Sequence, residues 1–255
     1  MAKEKKEAEI VYNQIADKYK QSKILPFRIH VEKYSFFKLL GDLTHKSVLD
    51  LACGEGIYTR EIKNRGAALV YGVDISPKMI ELAQSEEEKT NLGIEYKVMD
   101  VATMGKIQPF DIVCATYLLN YARTKDQLMA FVQSIYDNLK PEGRFISIND
   151  NVAQPVELYS LMRTYGFVKS SVSTRQEGDA VTYTFLDEQG NDDFSFNNYY
   201  LKPETYQSVF REIGFSSFKW IAPQLSPEES IRNNKDGFWD DFFKIPPIIG
   251  IEAIK

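Results

Sequence analysis

The stretch Ser47-Val-Leu-Asp-Leu-Ala-Cys-Gly-Glu-Gly-Ile-Tyr-Thr59 decides the fold of this chain. Its apolar first half is typical of a buried parallel strand, with Asp50 near the carboxyl end. The small residues from Ala52 to Gly56 predict a tight turn, and helical spacing begins at Ile57. This order favours a nucleotide site, because glycine lets the backbone approach a ligand and a helix start presents unpaired N–H groups. Taken alone, the match is also compatible with a purely structural turn.

The alternation of strand and helix continues beyond this stretch. Further strands are predicted at 67–73, 94–99, 110–115, 144–148, 215–221 and 248–254, with helices at 77–88, 124–139 and 203–213. The pattern predicts an α/β fold with a doubly wound, mostly parallel seven-stranded sheet that helices cover on both faces.

Polar residues recur where the predicted strands end. They are Asp50, Asp74, Asp100, Thr116 and Asn149. Ligands of open parallel sheets bind beyond these carboxyl ends, so we expect the residues to converge on one site. At the end of the second strand, Asp74 is placed to accept hydrogen bonds from both hydroxyls of a ribose. The alternative is a helix cap, although Ser76 before Pro77 is the better cap for the next helix.

The segments before and after this core are expected to cover the site. Helices predicted at 7–20 and 29–40 form an N-terminal cap, in which Tyr12 and Tyr19 share one face and either close the site or pack on the core. Alternating residues at 181–186 and 193–200 predict an antiparallel insertion after the fifth strand. We therefore expect a single domain over 1–255, made of a cap (1–45), a cofactor-binding half (46–150), a substrate-side insertion (151–201) and a C-terminal part (202–255).

Composition excludes several classes of function. The chain is 44% hydrophobic and 26% charged, and its net charge of -5 offers no large basic surface for nucleic acid. No apolar run reaches the roughly 20 residues that cross a bilayer, and the first residues lack the apolar core of a secretory signal. Cys53 and Cys114 have no CxxC neighbour, so no zinc or redox motif is present. A cytoplasmic protein without metal or membrane is expected.

Five blocks of the chain resemble the class I S-adenosylmethionine-dependent methyltransferases of small-molecule type. They are residues 48–56, 73–76 with Met79, 99–101, 110–113 and 139–145, and the resemblance extends over nearly the whole length. The family commonly has glycine where this chain has Ala52, which we expect to be tolerated if φ is negative there. Thr59 stands where a nicotinamide dinucleotide site needs its third glycine, which disfavours that alternative.

The resemblance implies that S-adenosylmethionine is the cofactor and assigns residues to its parts. Asp50 and the turn backbone would hold the methionine part, Asp74 the ribose, and Asp100 the adenine amino group. Arg28 would pair with the cofactor carboxylate, or else serve as a surface salt-bridge partner. The complete set is Asp50, Ala52, Cys53, Gly54, Gly56, Asp74, Ile75, Met79, Asp100, Val101, Thr116, Tyr117, Tyr19 and Arg28, of which Thr116 and Tyr117 would border the sulfonium.

The implied reaction is methyl transfer to O, N or C of a small molecule from natural-product or cofactor metabolism. Most catalysis can come from positioning, and a general base helps only if the acceptor loses a proton. Asp150 is the first candidate base and His30 the second. Acceptor contacts are expected from Tyr12, Asn149, Tyr165, Tyr199 and Trp239, although aromatic residues at such places also form core.

Two other functions remain open from the sequence. One is methylation of RNA or protein, and the other is nucleoside binding without catalysis on the same fold. The acidic balance weighs against RNA. The expected partner is a small-molecule methyl acceptor, with neither nucleic acid nor membrane involved, and the protein is expected to be a monomer or homodimer.

Overall fold

The computed structural model describes residues 18–233 and 237–255. Tyr12 and most of the helix predicted at 7–20 lie outside these residues, and 18–22 are helical. Ten strands are present within the described part of the chain. They are β1 (Ser47–Leu51), β2 (Leu69–Asp74), β3 (Glu95–Val98), β4 (Phe110–Thr116), β5 (Leu139–Asp150), β6 (Phe167–Ser170), β7 (Ala180–Leu186), β8 (Asp192–Tyr199), β9 (Ser217–Ile221) and β10 (Ile248–Ile254).

Seven strands form one sheet in the order β3-β2-β1-β4-β5-β10-β9. The strands β1 to β5 are parallel, whereas β10 runs antiparallel between β5 and β9. The strand order reverses at β1, because β2 and β3 lie on one side of it and β4 and β5 on the other. Ligands of such sheets bind at this switch point. The predicted doubly wound, mostly parallel sheet of seven strands is confirmed.

The helices lie between the strands. They are α1 (Tyr34–Leu40), α2 (Ile57–Asn64), α3 (Pro77–Thr90), α4 (Lys125–Asp137), α5 (Pro203–Ile213), α6 (Pro227–Asn233) and α7 (Asp240–Lys244). Their starts follow local chemistry, since the Ser76 hydroxyl accepts the Met79 N–H at 3.1 Å and Pro77 opens α3. A π-helix over Arg28–Lys33 runs directly into α1, and 3₁₀-helices occupy Leu119–Tyr121 and Val156–Tyr165.

Each face of the large sheet has its own apolar core. On one face α1, α2 and α3 pack on β1 and β4, joined by the aromatic side chains of the insertion. On the other face α4 and α5 pack on the same sheet, with Phe145 of β5 against Phe210 of α5. Because β-strand side chains alternate between faces, one strand supplies both cores.

The insertion after β5 is a second sheet, antiparallel and ordered β6-β7-β8. Its buried side chains include Phe167, which stacks on both Tyr183 and Phe185. Phe167 also packs against Phe27, so this sheet lies on the same side as the π-helix. The predicted antiparallel insertion is confirmed, with β6 as a strand that the sequence pattern did not reveal. The division of 1–255 into four parts of one domain stays a prediction.

Several element boundaries differ from expectation. The strand predicted at 144–148 begins at Leu139, with Glu142 at φ 62° where its start is irregular. The sequence pattern at 152–168 predicts a segment that is helical in part, and Val156–Tyr165 within it form a 3₁₀-helix. The helix predicted at 29–40 begins as a π-helix. The residues that follow 221 are polar and predict a loop, which in the structure contains α6. Within the described residues, no helix has both the length and the apolar composition that a membrane crossing needs.

Candidate functional site

An open cavity lies at the carboxyl ends of β1, β2 and β4. Fourteen residues line it: Tyr19, Ala52, Gly54, Asp74, Ile75, Met79, Met99, Asp100, Val101, Thr116, Tyr117, Leu118, Tyr121 and Phe131. The structure therefore brings ten of the residues proposed for the cofactor into one cavity.

The glycine turn forms one wall through its backbone. Gly54 has φ 56°, and a Cβ there would meet no other atom within 4 Å, so the main chain is open on this side. Ala52 has φ 53°, which is the left-handed region. The expectation that Ala52 has a negative φ is therefore wrong. The turn keeps the left-handed conformation that favours glycine, although the residue is an alanine.

Asp74 is fixed by the main chain around it. Its Oδ2 accepts the Gly54 N–H at 2.8 Å, and its Oδ1 accepts the Ser76 N–H at 2.9 Å. Burial raises the pKa of Asp74, although these backbone hydrogen bonds favour the charged form. The carboxylate is thereby held at the cavity wall in one orientation.

Another part of the cavity lining combines the carboxylate of Asp100 with apolar side chains. Asp100 follows β3, and its Oδ1 accepts the Ala102 N–H at 3.0 Å. The cavity lining also contains the apolar side chains of Ile75, Met79 and Phe131. Carboxylates for hydroxyl and amino donors, beside an apolar slot for a planar ring, fit a nucleoside such as the adenosyl part of S-adenosylmethionine.

Asp50 lies beneath this cavity and does not line it. Its Oδ2 accepts the Thr59 hydroxyl at 2.6 Å, and the Cys114 thiol is 3.7 Å from its Oδ1. Burial raises the pKa of Asp50 to about 7, and the negative Asp74 nearby adds to this while the two hydrogen bonds oppose it. Asp50 therefore ties β1 to α2, and any effect on a ligand passes through the turn.

Cys53 and Gly56 are likewise absent from the cavity wall. The Cys53 N–H donates to the Val73 carbonyl, and the Gly56 N–H donates to the Cys53 carbonyl. A Cβ at Gly56 would collide with the ring of Tyr96. These two residues shape the turn and leave the open main chain to Gly54.

Thr116 and Tyr117 bring the end of β4 to the cavity. Tyr117 has φ 63°, an uncommon conformation for an aromatic residue, and its N–H donates to the Ile148 carbonyl at 2.8 Å. Its hydroxyl donates to Glu32, so the ring and not the hydroxyl is left for the cavity. Such strain is common where a site is held in one arrangement.

Arg28 stands directly behind this wall. Its guanidinium carbon lies 5.2 Å from the Tyr19 ring centre and 5.5 Å from that of Tyr117. Its Nη1 donates to Glu32 at 3.0 Å, and the side chain is 2% exposed. Arg28 is thus a buried residue and not a surface salt-bridge partner, and its partner in the structure is Glu32.

Asp150 ends β5 on the face that carries the insertion. The Lys169 ammonium donates to its Oδ1 at 2.6 Å, and the Tyr183 hydroxyl donates to the same oxygen. Burial lowers the pKa of Lys169, and the attraction of Asp150 opposes this. The candidate base is therefore held in a buried ion pair, and its role stays a prediction.

His30 does not reach the cavity. It lies on the outer side of the π-helix, where Nδ1 is 3.4 Å from the Ser226 hydroxyl and Nε2 is 3.5 Å from a Glu229 carboxylate oxygen. The expectation that it approaches the site is corrected, because the helix presents it to α6.

Most residues expected to contact the acceptor also lie away from this cavity. Tyr165 stacks on Trp239 with ring centres 5.5 Å apart, and its hydroxyl bonds to the main chain of the segment that carries Trp239. Tyr199 lies beneath the Arg123 guanidinium. Asn149 is buried on the face of β5 that carries Phe145. For Tyr165 and Trp239, core packing is the observed role, and it replaces the expected one.

Four lining residues were missed by sequence reasoning. Met99 precedes Asp100 within a block that was recognised, so its position was a usable signal. Leu118 and Tyr121 follow Tyr117 in the turn after β4, and Phe131 projects from α4. Phe131 had no sequence signal, because an aromatic on an amphipathic helix looks like a core residue.

Comparison with known proteins supports this geometry. Residues 48–143 match the family model of the methyltransferase domain. A ubiquinone biosynthesis O-methyltransferase of Neisseria meningitidis serogroup C (strain 053442) is 32% identical over 115 residues, 43% of this chain and 47% of that protein. A demethylmenaquinone methyltransferase of Lactococcus lactis subsp. lactis (strain IL1403) is 27% identical over 226 residues, 82% of each chain. The chain thus spans about half the length of the first of these relatives.

The fold is shared with solved methyltransferases. An S-adenosylmethionine-dependent methyltransferase from Clostridium acetobutylicum ATCC 824 superposes with a TM-score of 0.63 at 17% identity, covering 95% of this chain and 98% of that chain. At 17% sequence identity, this superposition shows a shared fold only. Residues 48–143 therefore match the methyltransferase domain, and the chain shares the fold of a solved S-adenosylmethionine-dependent methyltransferase.

Proposed function

We propose that this protein transfers a methyl group from S-adenosylmethionine to a small-molecule acceptor. The observation that carries the proposal is the single cavity that joins the open backbone at Gly54 to the carboxylates of Asp74 and Asp100. These groups come from the ends of different strands, so the fold itself assembles them.

In this proposal each part of the cavity lining binds a different part of the cofactor. Asp74 takes the ribose hydroxyls, Asp100 takes the adenine amino group, and Ile75 and Met79 lie against the adenine. The Val101 amide faces the ring. Gly54 offers the open main chain to the methionine part. The support is the lining of the cavity, which contains all six of these residues.

The residues at the end of β4 would border the reacting centre. When bound, the cofactor supplies an electrophilic methyl group on a sulfonium. Thr116 and Tyr117 would then flank the path of in-line transfer, and the protein would accelerate the reaction mainly by positioning. If the acceptor must lose a proton, Asp150 is the proposed base, with Lys169 and Tyr183 holding its Oδ1.

An aromatic or quinone-like acceptor is favoured for this chain. The stacked side chains of the insertion extend toward the cavity, since Phe196 contacts both Tyr183 and the cavity residue Tyr19. Flat rings pack well on such surfaces. Two relatives bear names from ubiquinone and menaquinone pathways, and we extend that substrate class to this chain as part of the proposal. We also propose a cytoplasmic monomer or homodimer that acts without nucleic acid.

Calorimetric titration tests the cofactor first. S-adenosylmethionine and S-adenosylhomocysteine should bind at micromolar levels, NAD should not bind, and Asp74→Ala should abolish binding. A panel of phenols, quinone precursors and heteroaromatic compounds, with tritiated S-adenosylmethionine as donor, then tests transfer. Failure of both sulfur nucleosides to bind would overturn the proposal. Binding with transfer only to RNA or protein would redirect it, and binding without transfer to any acceptor would favour a nucleoside-binding role.

A further inference from the structure

Glu32 is a fully buried carboxylate that accepts hydrogen bonds from three side chains. It receives the Arg28 guanidinium at 3.0 Å, the Tyr58 hydroxyl at 2.7 Å and the Tyr117 hydroxyl. Burial alone would raise the pKa of Glu32, but Arg28, Lys23 and the two phenols outweigh burial and hold it below its usual range. Glu32 is therefore negatively charged at neutral pH, within the cap.

Arg28 is the cation that this charge balances. Its guanidinium is enclosed by the rings of Tyr19, Phe27, Tyr117 and Phe185, all with centres within 5.5 Å. Its Nε is buried and has no hydrogen-bond partner among the described residues. A guanidinium so placed has little water to screen it. Lys23 also approaches Glu32, at 3.9 Å, but it is partly exposed and solvent screens it.

The pair acts on the cavity through two aromatic walls. Tyr19 and Tyr117 line the cavity and also face Arg28. Only one aromatic ring therefore separates the Arg28–Glu32 pair from a ligand in the cavity, so the net charge of the pair changes the electrostatic potential at the ligand. An uncompensated guanidinium there would repel a positive ligand, and aromatic faces beside a neutral pair would attract one.

We propose that Glu32 is a specificity-determining residue, which neutralises Arg28 so that the cavity accepts a cofactor carrying a positive charge on sulfur. The inference rests on the proposed function, because it concerns the sulfonium of S-adenosylmethionine. It goes further in assigning to the π-helix the discrimination between the cofactor, whose sulfur is charged, and its product, whose sulfur is neutral. S-adenosylhomocysteine has the same ammonium and carboxylate groups as S-adenosylmethionine and lacks the methyl group and, with it, the sulfonium charge.

The ratio of the two affinities isolates this effect. We expect Glu32→Gln to weaken S-adenosylmethionine relative to S-adenosylhomocysteine by about tenfold, which is about 1.4 kcal/mol. Arg28→Gln, measured at pH 8 to keep Glu32 ionised, should shift the same ratio in the opposite direction, because among the described residues Glu32 then has only the partly exposed Lys23 as a counter-charge. The double variant should return the ratio to the wild-type value. If Arg28 also binds the cofactor carboxylate, both affinities fall together and the ratio still reports the charge.

Tyr58→Phe is the matched control. It removes one hydrogen bond from Glu32 while both charges stay, so it should lower stability and leave the ratio unchanged. Each variant is followed by thermal unfolding, and if Glu32→Gln does not fold, the shift in Arg28→Gln decides. Equal weakening of both ligands in both single variants would overturn the inference and make the pair purely structural. Absence of binding by the wild-type protein would instead overturn the proposed function, and this inference with it.

Discussion

The backbone N–H of Gly54 donates a hydrogen bond of 2.8 Å to Oδ2 of Asp74. This bond joins the turn after β1 to the end of β2, across two parallel neighbours of the sheet. The carboxylate that faces the cavity is thereby oriented by the main chain before any ligand arrives. Preorganisation of this kind lowers the cost of binding, because the groups need not be ordered afterwards.

Asp74→Asn should weaken S-adenosylmethionine and S-adenosylhomocysteine alike, by about tenfold or more. The amide loses the charge that strengthens hydrogen bonds to a ribose, and a hydrogen bond to a charged group is worth about 1.5–3 kcal/mol. Calorimetry measures both affinities. Asp111→Asn is the control, because Asp111 lies at the other end of β4, where it accepts the Ser47 N–H and the Lys140 ammonium. Unchanged affinity in Asp74→Asn would remove Asp74 from the site.

Asp50 should make the protein less stable as pH rises from about 4 to about 7. Its pKa is raised to about 7 in the fold, against an unfolded value of about 3.9. The folded state therefore holds a proton that the unfolded state has released, and this stabilisation is lost as pH passes through the folded pKa. Urea unfolding of wild type and Asp50→Asn at pH 5 and pH 8 tests it. The decline between these pH values should be smaller in Asp50→Asn; an equal decline would contradict the assignment.

Ala52→Gly should raise the free energy of unfolding by about 0.5–1 kcal/mol, because glycine adopts the left-handed conformation without the steric cost that alanine has there. The readout is the midpoint of thermal unfolding. Ala115→Gly is the matched control, since Ala115 is buried in β4 and is not among the described residues with positive φ. That control should lose about 1 kcal/mol. Loss of stability in both variants would show that the turn does not strain Ala52.

Asp150→Ala should destabilise the fold by about 3–5 kcal/mol, because it leaves the Lys169 ammonium buried without its counter-charge. The double variant Asp150→Ala with Lys169→Met should recover most of that loss, since it removes both charges together. Chemical unfolding of the two single variants and the double variant gives the coupling energy. Additive losses would mean that the 2.6 Å contact between the two residues contributes nothing to stability. The same variants are the control for the test of Asp150 as base, because a loss of activity indicates a catalytic role only if it exceeds what the loss of stability explains.

Periodic apolar patterns and the glycine turn were enough to predict the large sheet. They located β1, β2, β4 and β10, because buried parallel strands and their flanking turns leave clear marks in sequence. The start of β5 was missed since Pro141 and Gly143 read as a stop, although the strand passes through this irregular point. The type of the helix over Val156–Tyr165 could not be predicted, because the period of a 3₁₀-helix is close to that of an α-helix.

Part of the candidate site could be predicted and part could not. Residues at strand ends, such as Asp74 and Thr116, follow from topology alone. Glu32 escaped notice, because an acidic residue beside Lys33 in a helical segment looks like a solvated surface charge, and only tertiary packing buries it. Tyr165 and Trp239 were assigned to the acceptor for the converse reason, since an aromatic residue in a loop does not reveal whether it faces a cavity or another aromatic ring.

Three lysines anchor the segment that carries Tyr19, each to a different part of the molecule. Lys18 pairs with Asp193 of β8, Lys20 with Glu55 of the glycine turn, and Lys23 with Glu32. Lys18 and Lys20 are half exposed, so dissolved ions compete directly for their carboxylate partners. We therefore expect a higher salt concentration to weaken these two ion pairs and to loosen the segment that carries Tyr19, which would shorten the time a bound cofactor stays in the cavity while Asp74 and Asp100 keep their positions.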